Sequence, residues 1–274
     1  MKEKRKMITR ILLAAFAIIQ LYPLVWLIFF SLKDNNEIFG GNIAGFPKVC
    51  RFQNYVTAFS EANVLVYLKN SVFVTSVTIL LVIILSVTSA YAIKRMHWTG
   101  RDAALKFILL GMMVPIHAAL LPLFMVLKSM HLLNTYWGVI IPYVAFGLPM
   151  GVLIISGFLT GIPKEMEEAA VVDGCGIYRM FLTVIMPLVK PALATVSIFT
   201  YIGTWNELMF AVTFINKQEY KTLTVGIMSM VGSYVTHWGE VGAGLVIATF
   251  PTILIYMLLS EQVQNSMVVG AVKG

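Results

Sequence analysis

Few residues in this chain could do chemistry inside an apolar segment. Glu207 is the one carboxylate deep within such a segment, and ionisable groups there are costly enough to raise a functional hypothesis. Gly203, Asn206, Glu207 and Phe210 follow i, i+3, i+4, i+7 spacing, which puts them on one face of a continuous helix. Amide, carboxylate and aromatic ring together suit a sugar, which offers hydroxyls and apolar C–H faces. The same set would also serve as polar glue between helices beside a close-packing glycine. His117 lies between Pro115 and Pro122. It is a substrate or proton site, or else a hydrogen-bonded residue in a helix whose freed carbonyls need partners. Enzyme patterns are missing: there is no H-E-x-x-H, no G-x-S-x-G and no pair of intramembrane carboxylates. The phosphate loop G-x-x-x-x-G-K-[ST] is missing too, so nothing in this sequence hydrolyses ATP. Cys50 and Cys175 have no zinc-ligand companions.

The densest display of charge is elsewhere, at 164–187, KEMEEAAVVDGCGIYRMFLTVIMP, between two long apolar runs. The elements that must carry it can be read locally. Glu165, Glu167 and Glu168 fall in a first helical turn just after Pro163, where acids favour the positive end of the helix dipole. Gly174 closes that helix as a C′ glycine, in a left-handed conformation. A second helix is expected after it. Ile177, Met180, Phe181, Val184 and Ile185 make its apolar face, and Pro187 stops it. A chain that needed only to turn around could use a few residues. This one builds a helix–glycine–helix hairpin.

That hairpin resembles the EAA loop of ABC-importer permeases, the segment that docks on the ATPase subunit. The family pattern is Glu-Ala-Ala, three residues, Gly, nine residues, Ile-x-Leu-Pro. Here it stands as Glu168-Ala169-Ala170, then Gly174, then Val184-Ile185-Met186-Pro187, with conservative replacements in the last block. Asn134-Thr135-Tyr136-Trp137-Gly138, Tyr201-Ile202-Gly203-Thr204-Trp205-Asn206-Glu207 and the terminal Gly270-Ala271-Val272-Lys273-Gly274 are similar to the second permease of carbohydrate-type, maltose-like importers. The resemblance is nearly continuous from about Asn70 onward. It implies that Glu168, Ala169, Ala170, Asp173, Gly174 and Pro187 couple to an ATPase, and that Gly270, Lys273 and Gly274 touch the ATPase pair. It implies separate partner chains: a second permease, two ATPase subunits that bind ATP and Mg, and an extracytoplasmic sugar-binding protein. It also implies that the sister permease carries most of the sugar contacts, which leaves Asn206, Glu207 and Phe210 as a possible substrate pathway.

Composition leads to the same class independently. Apolar residues are 59% of the chain and charged residues 12%, against about 25% charged in ordinary soluble domains. Such a chain must be solvated by lipid. Six runs are long enough to span about 30 Å of hydrocarbon as helices: 7–32, 70–93, 107–127, 137–160, 192–215 and 241–259. They do not alternate apolar and polar residues, which excludes membrane barrel strands. The fold class expected is therefore all-α integral membrane, six transmembrane helices in one domain over 1–274, with a coupling loop at 161–191. The first run is longer than the core of a secretory signal and no A-x-A site follows it, so it is read as a retained helix.

The net charge of +7 could suggest nucleic acid, but its distribution argues against that partner. With the N-terminus inside, Lys33, Lys48, Arg51, Lys69, Lys128, Lys217 and Lys221 fall outside, and all the other Lys and Arg of the 20 fall inside. The positive-inside rule thus favours both termini and the 161–191 loop in the cytoplasm of a bacterial inner membrane. Cys50 and Cys175 are then on opposite faces. The outer connections 33–69 and 216–240, the latter with Tyr220, Tyr234 and Trp238, either meet an external binding protein or cap the bundle. An ion-coupled secondary transporter is the alternative. It needs intramembrane ionisable groups and often repeats, and it leaves the charged hairpin without a purpose.

Overall fold

Long apolar runs without period-2 alternation become helices, and no strand forms among the described residues. The computed structural model describes residues 2–232 and 234–271, with side chains over 6–232 and 234–258. In chain order the helices are α1 (Lys2–Ser31), α2 (Asn35–Phe39), α3 (Gln53–Ser60), α4 (Val64–Arg95), α5 (Arg101–Leu110), α6 (Leu120–Ser129), α7 (Trp137–Thr160) and α8 (Glu165–Val172). They continue as α9 (Ile177–Leu188), α10 (Lys190–Trp205), α11 (Met209–Phe214), α12 (Leu223–Ser229) and α13 (Trp238–Ala271). Among the described residues, four helices are long and apolar enough to cross a membrane, and up to six spans result if two bent pairs each count as one.

Both bends have local causes. Arg101–Met113 and Ile116–Ser129 meet at 91°. Val114 between them is extended, at φ −78° and ψ 117°, because the residue before a proline avoids the α region. Over the expected third span, 107–127, the chain is therefore two helices rather than one rod. The second bend, 72°, separates α9 from α10 at Val189. Pro187 was expected to end α9, but the helix runs on to Leu188. A π turn over Phe181–Ile185 widens the helix where the proline ring would meet the preceding turn.

The chain forms two compact units, 1–68 with 225–251, and 69–224 with 252–274. In the first unit a charge organises the loop after α1. Lys33 is fully buried, and its Nζ donates to the carbonyls of Asn42 at 2.7 Å, Ile43 at 3.3 Å and Gly45 at 2.6 Å. Burial lowers its pKa from 10.5, and the nearby Glu37 carboxylate works the other way. Asp34 caps α2 by accepting from Glu37 N at 2.8 Å, and pairs with Arg51. Asn35 reaches residues before and at the start of α13, donating to Thr236 O at 2.7 Å and accepting from Trp238 N at 2.9 Å. Lys33→Met is expected to lower stability by about 1–3 kcal/mol, since the loop carbonyls lose their charge-assisted donor. Thermal unfolding in detergent checks this, and an unchanged midpoint with unchanged proteolysis of 34–63 would contradict it.

In the second unit α4, α7 and α10 converge on Gly151. A Cβ there would lie 2.8 Å from Ser86 Cβ of α4 and 3.4 Å from Val196 of α10, so the helices approach at a residue without a side chain. Val152, Ile155 and Leu159 of α7 are fully buried.

Candidate functional site

The hairpin forms where the sequence places it. Lys164 stands at the N-cap position of α8 without a side-chain capping bond, and Glu165, Glu167 and Glu168 occupy the first turn. The helix ends in a Schellman motif: Cys175 N donates to Ala170 O and Gly174 N to Val171 O, both at 2.9 Å. Gly174 has φ +77°, the left-handed value expected of a C′ glycine. A Cβ there would meet nothing within 4 Å of this chain.

The candidate coupling residues divide by exposure. Glu168, Ala169, Asp173, Gly174 and Pro187 are exposed, while Ala170 is buried against the rest of the unit. In α9 the apolar face holds with one exception. Met180 and Ile185 are buried and Phe181 and Val184 half-buried, whereas Ile177, nearest the tip, is exposed. The tip itself is apolar: Val172 is 86% exposed and Tyr178 84%. Tyr178 stands off the apolar positions of α9, and nothing in the sequence marks Val172 as exposed.

The second cluster differs from its expectation. Gly203, Asn206, Glu207 and Phe210 do not share one helix face, because α10 ends at Trp205 and α11 starts at Met209. Glu207 is the reason the chain can restart. Its carboxylate accepts from Phe210 N at 2.8 Å and Ala211 N at 3.1 Å, which are orphan donors of the new helix. Tyr143 Oη donates to the same carboxylate at 2.6 Å, and Thr224 Oγ1 donates to the Glu207 carbonyl at 3.0 Å.

A cavity of about 250 Å³ opens beside it, lined by Tyr143, Phe146, Thr200, Gly203, Thr204 and Glu207 among others. Phe210 is not on its wall. It is fully buried, stacked on Tyr143 at 6.4 Å between ring centroids. Asn206 is exposed and donates to Ile202 O at 2.9 Å. Ile116 lines the cavity, while His117 beside it is exposed in a 3₁₀ turn. Tyr143, Thr200 and Thr204 escaped the sequence reading because nothing in an uncharged helical residue marks which neighbours it will meet. Of the tail residues, Gly270 falls within α13, and Lys273 and Gly274 lie outside the described residues.

Apolar spans joined through an exposed helix–glycine–helix hairpin mark a multi-span membrane protein. The chain belongs to the binding-protein-dependent transport system inner membrane components, whose family model matches residues 82–268. The probable ABC transporter permease protein YurM of Bacillus subtilis (strain 168) is 34% identical over 253 residues, 92% of this chain and 84% of that protein. The diacetylchitobiose uptake system permease protein NgcG of Streptomyces coelicolor is 32% identical, covering 96% of this chain and 87% of that one. The trehalose/maltose transport system permease protein MalG of Thermococcus litoralis is 31% identical, with 94% and 93% covered. Among solved structures, a chain of a bacterial ABC transporter involved in alginate import has the same fold, with TM-score 0.81 at 24% identity over 94% of this chain and 96% of that chain.

Proposed function

We propose that the chain is the permease subunit of an ATP-driven, binding-protein-dependent importer that carries a carbohydrate across the bacterial inner membrane by alternating access. The observation that carries this reading is the hairpin. Its Schellman turn fixes the angle between α8 and α9, and its exposed tip offers Val172 and Tyr178 beside the acids of the first turn. An exposed apolar tip of this kind is a protein-docking feature. Of two ATPase subunits holding ATP and Mg, one receives it through the exposed Glu168, Ala169, Asp173, Gly174 and Pro187, while the buried Ala170 seats α8 on its own unit. Closure of the ATPase pair pulls the hairpin, and the helix bundle alternates between inward and outward openings. A second permease completes the pathway within the lipid, and a sugar-binding protein delivers cargo from outside. Both termini are cytoplasmic.

A carbohydrate cargo is supported by relatives whose names specify diacetylchitobiose and trehalose/maltose. The cavity adds to this, since it combines aromatic rings, hydroxyls and one carboxylate. Of the pathway residues, Glu207 is the one positioned for a sugar hydroxyl. Three donors already occupy its oxygens, which suits a fixed acceptor better than the carrier of a coupling proton. The test is deletion of the chain followed by uptake of labelled glucose, maltose, trehalose and N,N′-diacetylchitobiose. Loss of one sugar, restored by the cloned chain, is expected. Undisturbed sugar uptake with loss of a non-carbohydrate nutrient would contradict it.

Contact of the tail with the ATPase pair gives a further prediction. Truncation after Val269 should change the ATPase rate of the assembled complex, because Gly270, Lys273 and Gly274 then leave the nucleotide-side interface. A rate unchanged with and without cargo would mean that the tail is a frayed end, the usual fate of termini.

A further inference from the structure

Arg95 is the last residue of α4, and three elements meet at its guanidinium. Its Nη2 donates to Leu159 O and to Ile162 O, each at 2.7 Å, at the end of α7. Leu159 O lies in the last turn of α7 and also accepts from Ile162 N at 3.0 Å, and a cation at that end suits the helix dipole. Its Nε lies 3.0 Å from Glu167 Oε1 of α8. The side chains are 6% and 13% exposed. Nε and Oε1 are not aligned as a hydrogen bond, so the contact is an ion pair held by proximity, while the fork of Nη2 bonds fixes the guanidinium. One helical turn earlier on α4, the ring of Tyr91 packs against Phe181 of α9 at 5.0 Å between centroids. Residues i and i+4 of one helix therefore hold both arms of the hairpin.

We propose that Arg95 is a positioning residue which, through Glu167, locks the hairpin to the ends of α4 and α7 so that hairpin and spans move as one body. The proposal rests on the reading of the hairpin as the element an ATPase pulls. A hairpin that only needed to dock would use its exposed acids and apolar tip, and would have no use for a buried charge. Buried ion pairs are weak devices for stability, since apolar packing of similar volume does as well, and removing one partner strands the other. The fork of Nη2 bonds fixes the guanidinium at the end of α7, and a slip of α8 would leave that fixed charge and the Glu167 carboxylate apart in a buried place.

The joint is tested in the assembled complex with Cys50 and Cys175 replaced by Ser and spin labels at the exposed positions Lys94 and Met166. With native Arg95 the label pair should give one narrow distance, the same without nucleotide and after trapping with ATP and vanadate. Arg95→Gln and Glu167→Gln should each lose that single distance on trapping. Uptake per ATP hydrolysed, measured with whichever labelled sugar of the panel the deletion strain fails to accumulate, should fall roughly three- to thirty-fold. ATP hydrolysis itself should persist. The double variant should be no worse than either single one, as expected of partners in one contact. Arg95→Lys keeps the charge but loses the fork, so it should be intermediate. A narrow, trapping-independent distance in both single variants, or an unchanged uptake per ATP, overturns the proposal. If yield falls while both readouts stay native, the pair is structural and the proposal is likewise overturned. Failure of the ATPase reading is distinguishable, because even the native complex would then move no sugar with ATP while the labels still report on the joint.

Discussion

Gly174→Leu is expected to abolish uptake while the chain still reaches the membrane and the external binding protein still docks. The residue ends α8 at φ +77°, and the Schellman bonds from Gly174 N and Cys175 N depend on that conformation. A side chain costs about 1–2 kcal/mol in the left-handed region. This chain offers no atom within 4 Å of the added Cβ, so no internal clash enlarges that strain. Two effects remain. Relief of the strain rotates α9 against α8, and the added bulk stands at an exposed turn where a partner's groove has to fit. Either one stops the hairpin from transmitting closure. Quantitative uptake, membrane yield and binding-protein affinity check the outcome. A Leu variant with native uptake would reduce Gly174 to a tolerant hinge.

Glu168→Lys is expected to uncouple the transporter, with loss of uptake and of ATPase co-purification but normal insertion. Glu168 is exposed and forms no ion pair among the described residues. Inside the chain, reversal therefore costs only the dipole contribution of a first-turn acid, about 0.3–1 kcal/mol. A large phenotype must then arise from a partner that presents positive charge to this position. Normal transport together with normal ATPase co-purification in the variant would refute the docking assignment.

These two acids also mark the limit of what sequence could say. Glu167 and Glu168 are adjacent and read alike, as first-turn acids. Their difference is one of direction around the helix. Glu168 faces out, while Glu167 turns in to meet Arg95, a residue legible only as one more positive charge on the inner side. The hairpin was legible because its rules are local: proline before, acids first, glycine at C′. The break in the expected helix at 206–208 was not. It carries neither proline nor glycine, and it holds because Tyr143 and Thr224, distant in sequence, satisfy Glu207. Proline alone was an ambiguous sign as well. Pro142 and Pro149 sit inside an unbroken α7, while the chain at Pro115 turns by 91°. Membrane helices tolerate proline where neighbours re-satisfy the freed groups, and those neighbours are a tertiary fact. Lys33 shows the same limit: a loop lysine by sequence, it is the buried centre of its loop.

The central claim is that ATP hydrolysed by partner subunits drives cargo through this chain by way of its 161–191 hairpin. The most direct measurement is uptake into proteoliposomes containing this chain, its sister permease and the two ATPase subunits, with the binding protein and labelled sugar outside and ATP inside. The account predicts uptake that requires ATP and the binding protein, persists when ionophores collapse all ion gradients, and disappears with Glu168→Lys. Uptake that proceeds without ATP on a proton or sodium gradient, and is indifferent to that substitution, would contradict it.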